Sequence, residues 1–174
     1  MSTSTPLHAL IERVLATRAT DRGMRSAVEA GISPYTESRA YPFVLPYVDS
    51  ITNQQAFLRA AAITARHTGV THRTGCSIGR SLRNLSTAIS GTTTIDPAKP
   101  DGIAKRLMAL IALDIDEAAD QLSQLISQAA KHKVEFDFRA IGTTLLFWGD
   151  GIDDRSVEQR NKLLAEYYYS PSGS

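Results

Sequence analysis

Apolar residues recur at intervals of three and four along almost the whole chain, and that spacing suits helices and little else. Leu7, Leu10, Ile11, Val14 and Leu15 make one stripe, with Pro6 at the helix start, where its missing N–H costs little. Ile78, Leu82, Leu85 and Ile89 make another, followed by Ile103, Leu107, Leu110 and Ile111. The clearest is Ala118, Leu122, Leu125, Ile126 and Ala129, in a helix read as running on to the basic group Lys131, His132 and Lys133. Phe138, Ile141, Leu145 and Trp148 are spaced alike, and a last helix from about Asp154 to Tyr168 turns Val157, Leu164 and Tyr168 inward before a frayed tail, SPSGS. Side chains suited to capping stand at the starts: Asp21, Ser77, Asp101, Asp114 and Asp137. The expected fold is all-α, a compact bundle of about eight or nine helices.

The chain has 174 residues, 43% of them hydrophobic, enough for one domain or for one domain built of two small lobes. The stretch SGTTTIDPAKP, rich in Gly, Thr and Pro, divides them. The expectation is a basic lobe over residues 1–95 and an acidic lobe over 96–174, together one folded unit. Up to Leu113 there are 13 Lys and Arg against 7 Asp and Glu; from Asp114 onward there are 6 against 11. A single cysteine, Cys76, gives no intramolecular disulfide, and no run approaches the ~18 apolar residues of a membrane span. The N-terminal segment lacks the pattern of a signal peptide. These features fit a cytoplasmic protein.

Function is sought in the stretch from Ser50 to Ile95. It holds Arg59, Arg66, Arg73, Arg80 and Arg83, with His67 and His72, and no Asp or Glu, in a chain whose net charge is only +1. Thr52 or Asn53 opens a helix to about His67 whose buried stripe is Phe57, Leu58, Ala61, Ala62 and Ala65. Arg59 and Arg66, seven residues apart, are placed on the opposite, outward face, with no acid on the same helix. Arg80 and Arg83 lie opposite the Ile78 stripe, and Arg73 sits in the loop GVTHRTGCS. Arg18, Arg22, Arg25, Lys105 and Arg106 extend the set; Arg25 also suits an ion pair with Glu29 one turn on. Arginines free of local acids suit phosphate, which they hold with a planar fork.

Other chemistry is weakly supported. Cys76 and His72 in one loop are too little for a nucleophile and its base. His67, His72 and Cys76 do not match zinc spacing, and the loop is not a phosphate-binding P-loop. Asp114, Asp116, Glu117 and Asp120 suit either a helix start or a divalent metal site, so a metal-dependent hydrolase remains an alternative, as does a stand-alone helical DNA-binding regulator. No cofactor is expected.

The segment KHKVEFDFRAIGTTLLFWGDGIDDRSVEQRNKLLAEYYYSP resembles the C-terminal part of the CasB family, the small subunit of the type I-E CRISPR Cascade complex. SIGRSLRNLS is similar to that family's small-Leu-Gly-x-x-Leu-Arg segment, with Ile78 and Gly79 in the Leu-Gly places. DRGMRSAVEAGI and AYPFVLPYV resemble its basic helix and Trp/Tyr-Pro segment. The C-terminal segment is more acidic here, and the loop with Cys76 is not a feature of the family. The resemblance implies an all-helical, non-enzymatic subunit. Two copies would lie head to tail beside other Cascade subunits, lining the path of the crRNA-paired target DNA and the displaced strand. Arg18, Arg22, Arg25, Arg59, Arg66, Arg73, Arg80, Arg83, Lys105 and Arg106 are then the candidate contacts to the nucleic-acid backbone.

Overall fold

The computed structural model of the chain describes residues 4–169; the tail expected to fray lies outside the described residues. Among these residues nine α-helices follow one another. They are α1 (Pro6–Thr17), α2 (Arg22–Glu29), α3 (Tyr41–Val44), α4 (Gln54–Arg66), α5 (Ile78–Ser90), α6 (Gly102–Leu110), α7 (Ile115–Ile126), α8 (Phe138–Leu146) and α9 (Asp154–Tyr168). Single 3₁₀ turns connect α2 to α4 through the proline-rich stretch, at Ala30–Ile32, Glu37–Ala40, Leu45–Tyr47 and Ile51–Asn53. The one β feature among the described residues is an isolated parallel bridge between His72 and Phe136. No described helix is long and apolar enough to cross a membrane.

The expected caps are in place. Asp21, Ser77, Asp101 and Asp114 each accept from the backbone N–H three residues on, and Asp137 accepts from Arg139 and Ala140. The stripes of α1, α6, α7 and α8 form one core with those of α4 and α5, so helices from before and after residues 91–101 share it.

Three elements differ from the sequence reading. First, α4 is not amphipathic. Every residue from Ala56 to Ala65 is buried, because α1, α2, α7 and α8 surround it. Its alanines are small enough to admit a neighbour on every side, so the face assigned to solvent is interior, and Arg59 with it. Second, α7 ends at Ile126, and Gln128 and Ala129 bond back three residues in a tightened last turn. Lys131 and Lys133 therefore stand on a loop, with Lys133 at φ 56° in the left-handed region. Third, α9 buries Ser156, Arg160, Leu163 and Tyr167, while Val157 and Tyr168 are exposed. The inward stripe of α9 is partly polar, which hid it from a search for apolar spacing. Ile89, at the end of the α5 stripe, is also exposed.

Candidate nucleic-acid interface

The candidate arginines divide into two populations. Arg59 is 1% exposed. Its Nη1 donates to the Gly31 carbonyl at 2.6 Å and to Glu37 at 2.7 Å, and its Nε donates to Asp116 at 2.8 Å. The expectation that Arg59 points outward without an acidic partner is therefore wrong: its partners come from other elements. Arg18 is likewise buried. It donates to the carbonyls of Thr64, His67 and Val70 at 2.8–3.0 Å and lies over the Phe138 ring, and burial lowers its pKa. Both are internal staples, closed to a polymer.

Several of the exposed candidates are carried by elements around the 67–77 loop. Arg18 ties the corner between α1 and α2 to the start of the 67–77 loop, and Arg25 donates to the Arg18 carbonyl, so the first turn of α2 belongs to that corner. There Arg22 is exposed and Arg25 pairs with Glu29 at 3.8 Å. Arg66, exposed at the last turn of α4, donates to Ser123 on α7 at 3.4 Å. Arg73 is 67% exposed, and Glu135 stands 3.6 Å from it. The Arg73 loop is joined to the strand-like segment after α7: the Phe136 N–H donates to Thr71 and the Arg73 N–H to Phe136. That pairing brings the turn carrying the exposed Lys131 and Lys133 up to the start of the same loop, with Gly69 against Ala130. Sequence reading assigned these lysines to the end of a helix; their signal as surface cations was the KHK run itself.

At the start of this loop lies His67, buried, with Nε2 bonded to Ser123 at 2.9 Å. Burial first, then the charges of Arg66 and Arg18, lowers its pKa to about 4, so it is neutral and adds no charge to the set.

The remaining candidates stand on α5 and α6. Arg80 and Arg83 donate to the last carbonyls of α9, at Tyr167, Tyr168 and Tyr169, where cations suit the end of a helix. Lys105 and Arg106 are exposed on α6. An arginine outside the candidate set, Arg160, is a third staple. It donates to the carbonyls of Ile111, Leu113, Trp148 and Gly149 and lies over the Trp148 ring.

The acids of α7 serve the fold. Asp114 caps the helix, Asp116 holds Arg59 and Gln55, and Asp120 accepts from Gln124. Among the described residues no group of three or more His, Cys, Asp or Glu side chains suits a metal ion. His72 Nδ1 accepts from the Phe138 N–H at 3.1 Å, and its Nε2 meets Thr74.

These features define a small all-helical bundle in which some arginines are internal staples and others are exposed, several of them around the 67–77 loop. The chain belongs to the family of CRISPR-associated protein Cse2, whose model matches residues 22–168. Comparison with curated proteins finds no match. Among solved structures the chain is similar to TTHB189, a CRISPR-associated protein of the Cse2 family from Thermus thermophilus, at 21% identity and TM-score 0.70 over 95% of this chain and 99% of that one. It is similar to a second structure, of CasB from Thermus thermophilus, at 22% identity and TM-score 0.68, over 95% and 99%. It is also similar to a chain of a CRISPR RNA-guided surveillance complex at 21% identity and TM-score 0.69, over 93% and 90%. At these identities the likeness establishes a common fold, and it agrees with the resemblance carried by the sequence segments.

Proposed function

We propose that the protein is a non-catalytic subunit of a CRISPR surveillance complex that holds a nucleic-acid backbone on the exposed cations around its 67–77 loop, stabilising the pairing of crRNA with target DNA and the displaced strand. The observation that carries this reading is the set of exposed cations carried by the elements around the 67–77 loop: Arg66 before it, Arg73 within it, Lys131 and Lys133 on the turn packed against its start, and Arg22 on the corner that Arg18 ties to it, with Glu135 facing Arg73. Phosphate contacts of this kind position a strand without reading its sequence. Strand exchange in such a complex is close to balanced, so modest backbone contacts are enough to tip it. Family membership and the likeness to a surveillance-complex chain support the setting, and the basic and acidic halves of the sequence suit a head-to-tail contact with a second copy.

The test is the salt dependence of binding to single- and double-stranded DNA and RNA of unrelated sequence. Changing Arg66, Arg73 and Lys131 to Ala and Lys133 to Asn should weaken single-strand binding and flatten the slope of log K against log salt by up to about 3, at ~0.7 per phosphate. A folded variant with wild-type affinity and slope overturns this assignment.

A further inference from the structure

A cleft of about 440 Å³ opens between the 74–77 end of the loop, the start of α8, His8 of α1 and the outer turns of α9. Arg139 lines the cleft and is under-used. Its Nη2 donates to His8 Nδ1 at 3.0 Å, Glu12 stands 3.8 Å from Nη1, and Nε is buried with no acceptor. A guanidinium has five N–H donors, and a partly buried one with so few taken favours an anion.

The nearest acid, Glu12, is about half exposed and stands at 3.8 Å, beyond hydrogen-bond distance, so it takes up the guanidinium only in part. Asp137 is occupied by three backbone N–H groups, of Gly75, Arg139 and Ala140. His8 is neutral: Nδ1 accepts from Arg139, while Nε2 meets the Thr143 hydroxyl, which itself donates to the Arg139 carbonyl. Burial, then the Arg139 charge, lowers the His8 pKa. Lys162, exposed on α9, adds a second cation to the lining. One turn further, Glu166 presents an opposite pole. It is half-buried, and burial raises its pKa. Its carboxylate keeps lone pairs for a donor from a ligand.

We propose that this cleft seats one nucleotide, with its phosphate on Arg139 and Lys162 and the N–H groups of its base on Glu166. The two poles ask for a ligand that carries both an anion and N–H donors, and the volume is that of an ordinary small-ligand site. As a unit of a bound strand, the nucleotide would follow from the reading proposed above; as a free mononucleotide it would not need it.

Cys76 is the only cysteine, lines the cleft and is half-buried, so its alkylation reports occupancy. The full-length protein is alkylated with iodoacetamide in the presence of a single-stranded DNA 12-mer of mixed sequence, or of AMP, or of GMP. At ten times Kd the rate at Cys76 should fall about tenfold, following the unoccupied fraction. The double variant Lys162→Ala, Glu166→Gln should lose that protection while the strand still binds through the cations around the 67–77 loop. Protection by the strand alone assigns the seat to a strand nucleotide; protection by AMP or GMP as well assigns it to nucleotides in general. A strand that binds with the wild-type salt slope, together with mononucleotides that leave Cys76 unprotected at millimolar concentration, overturns the cleft if the strand also fails to protect. Equal protection in the double variant overturns it too. If the strand does not bind at all, the reading proposed above fails, and the mononucleotide arm alone decides the cleft.

Discussion

Arg59 and Asp116 are 57 residues apart in the chain and meet at 2.8 Å, Nε to Oδ1, where the buried guanidinium reaches a partly exposed carboxylate. The same guanidinium holds Glu37 and the Gly31 carbonyl, so one side chain of α4 fixes the turn after α2 and the start of α7. Changing Arg59 to Ala leaves two acids facing each other without a cation, one of them, Glu37, mostly buried. Breaking a buried pair from one side usually costs 3–5 kcal/mol; about 3 kcal/mol is expected here, because a third of the Asp116 side chain stays in water. Urea unfolding followed by circular dichroism measures it. A loss under 1 kcal/mol would show that the pairs are held too loosely to matter.

The division between what could and could not be read in advance follows from the range of each interaction. Caps such as Asp21 and Ser77 act on the N–H three residues on, so residue type and local spacing reveal them. The helix stripes obey the same short-range logic, and the order of several weak segments was enough to indicate the family. Arg59, whose partners lie on distant elements, has no such local signature. Arg18 is harder still, since its partners are three backbone carbonyls, which every residue possesses. Arg160 was accessible: with Ser156, Leu163 and Tyr167 it completes a 4-3-4 stripe, but a stripe half polar is not recognised by hydrophobicity. Lys131 and Lys133 were misplaced for the opposite reason, because the apolar period of α7 continues in Ala129 after the helix has ended.

Gly79 and Gly102 should respond to alanine with opposite sign. A Cβ on Gly79 would lie 2.5 Å from Glu166 Cβ and 2.8 Å from the Tyr167 nitrogen, where α5 crosses α9. Gly79→Ala therefore has to push two helices apart, which outweighs the ~1 kcal/mol that Ala gains in helix propensity and gives a net loss of roughly 1–3 kcal/mol. A Cβ on Gly102 meets nothing within 4 Å at the start of α6, and Gly102→Ala should stabilise by about 0.5 kcal/mol. Melting temperatures of the two variants check the pair; equal shifts would mean that the α5–α9 crossing is soft.

His67 makes stability depend on mild acid. Its pKa is lowered to about 4 in the fold and returns to about 6.5 on unfolding, so between those values the unfolded chain binds the extra proton. Stability is therefore complete above pH 6.5 and falls as the pH drops towards 4, by an amount of order 3 kcal/mol at most. His8, lowered as well, contributes in the same direction. His67→Gln, which can still bond Ser123, should flatten the curve in urea titrations between pH 4 and 6.5. An unchanged slope would assign the acid sensitivity to other groups.

Stability and binding should separate cleanly between the two arginine populations on α4. Arg59→Met removes a charge that the strand never meets, so it should lower stability while leaving the salt slope of the folded protein as it was. Arg66 has one long hydrogen bond to Ser123 and is otherwise in water. Arg66→Ala should change stability by no more than about 0.5 kcal/mol, yet lower the single-strand salt slope by about 0.7. Both substitutions remove one positive charge, so a general loss of net charge predicts equal effects on binding. Only a strand held at the exposed cations predicts that Arg66 matters and Arg59 does not. Equal losses of slope in the two variants would show that attraction to the whole molecule, rather than contact at those cations, accounts for the binding.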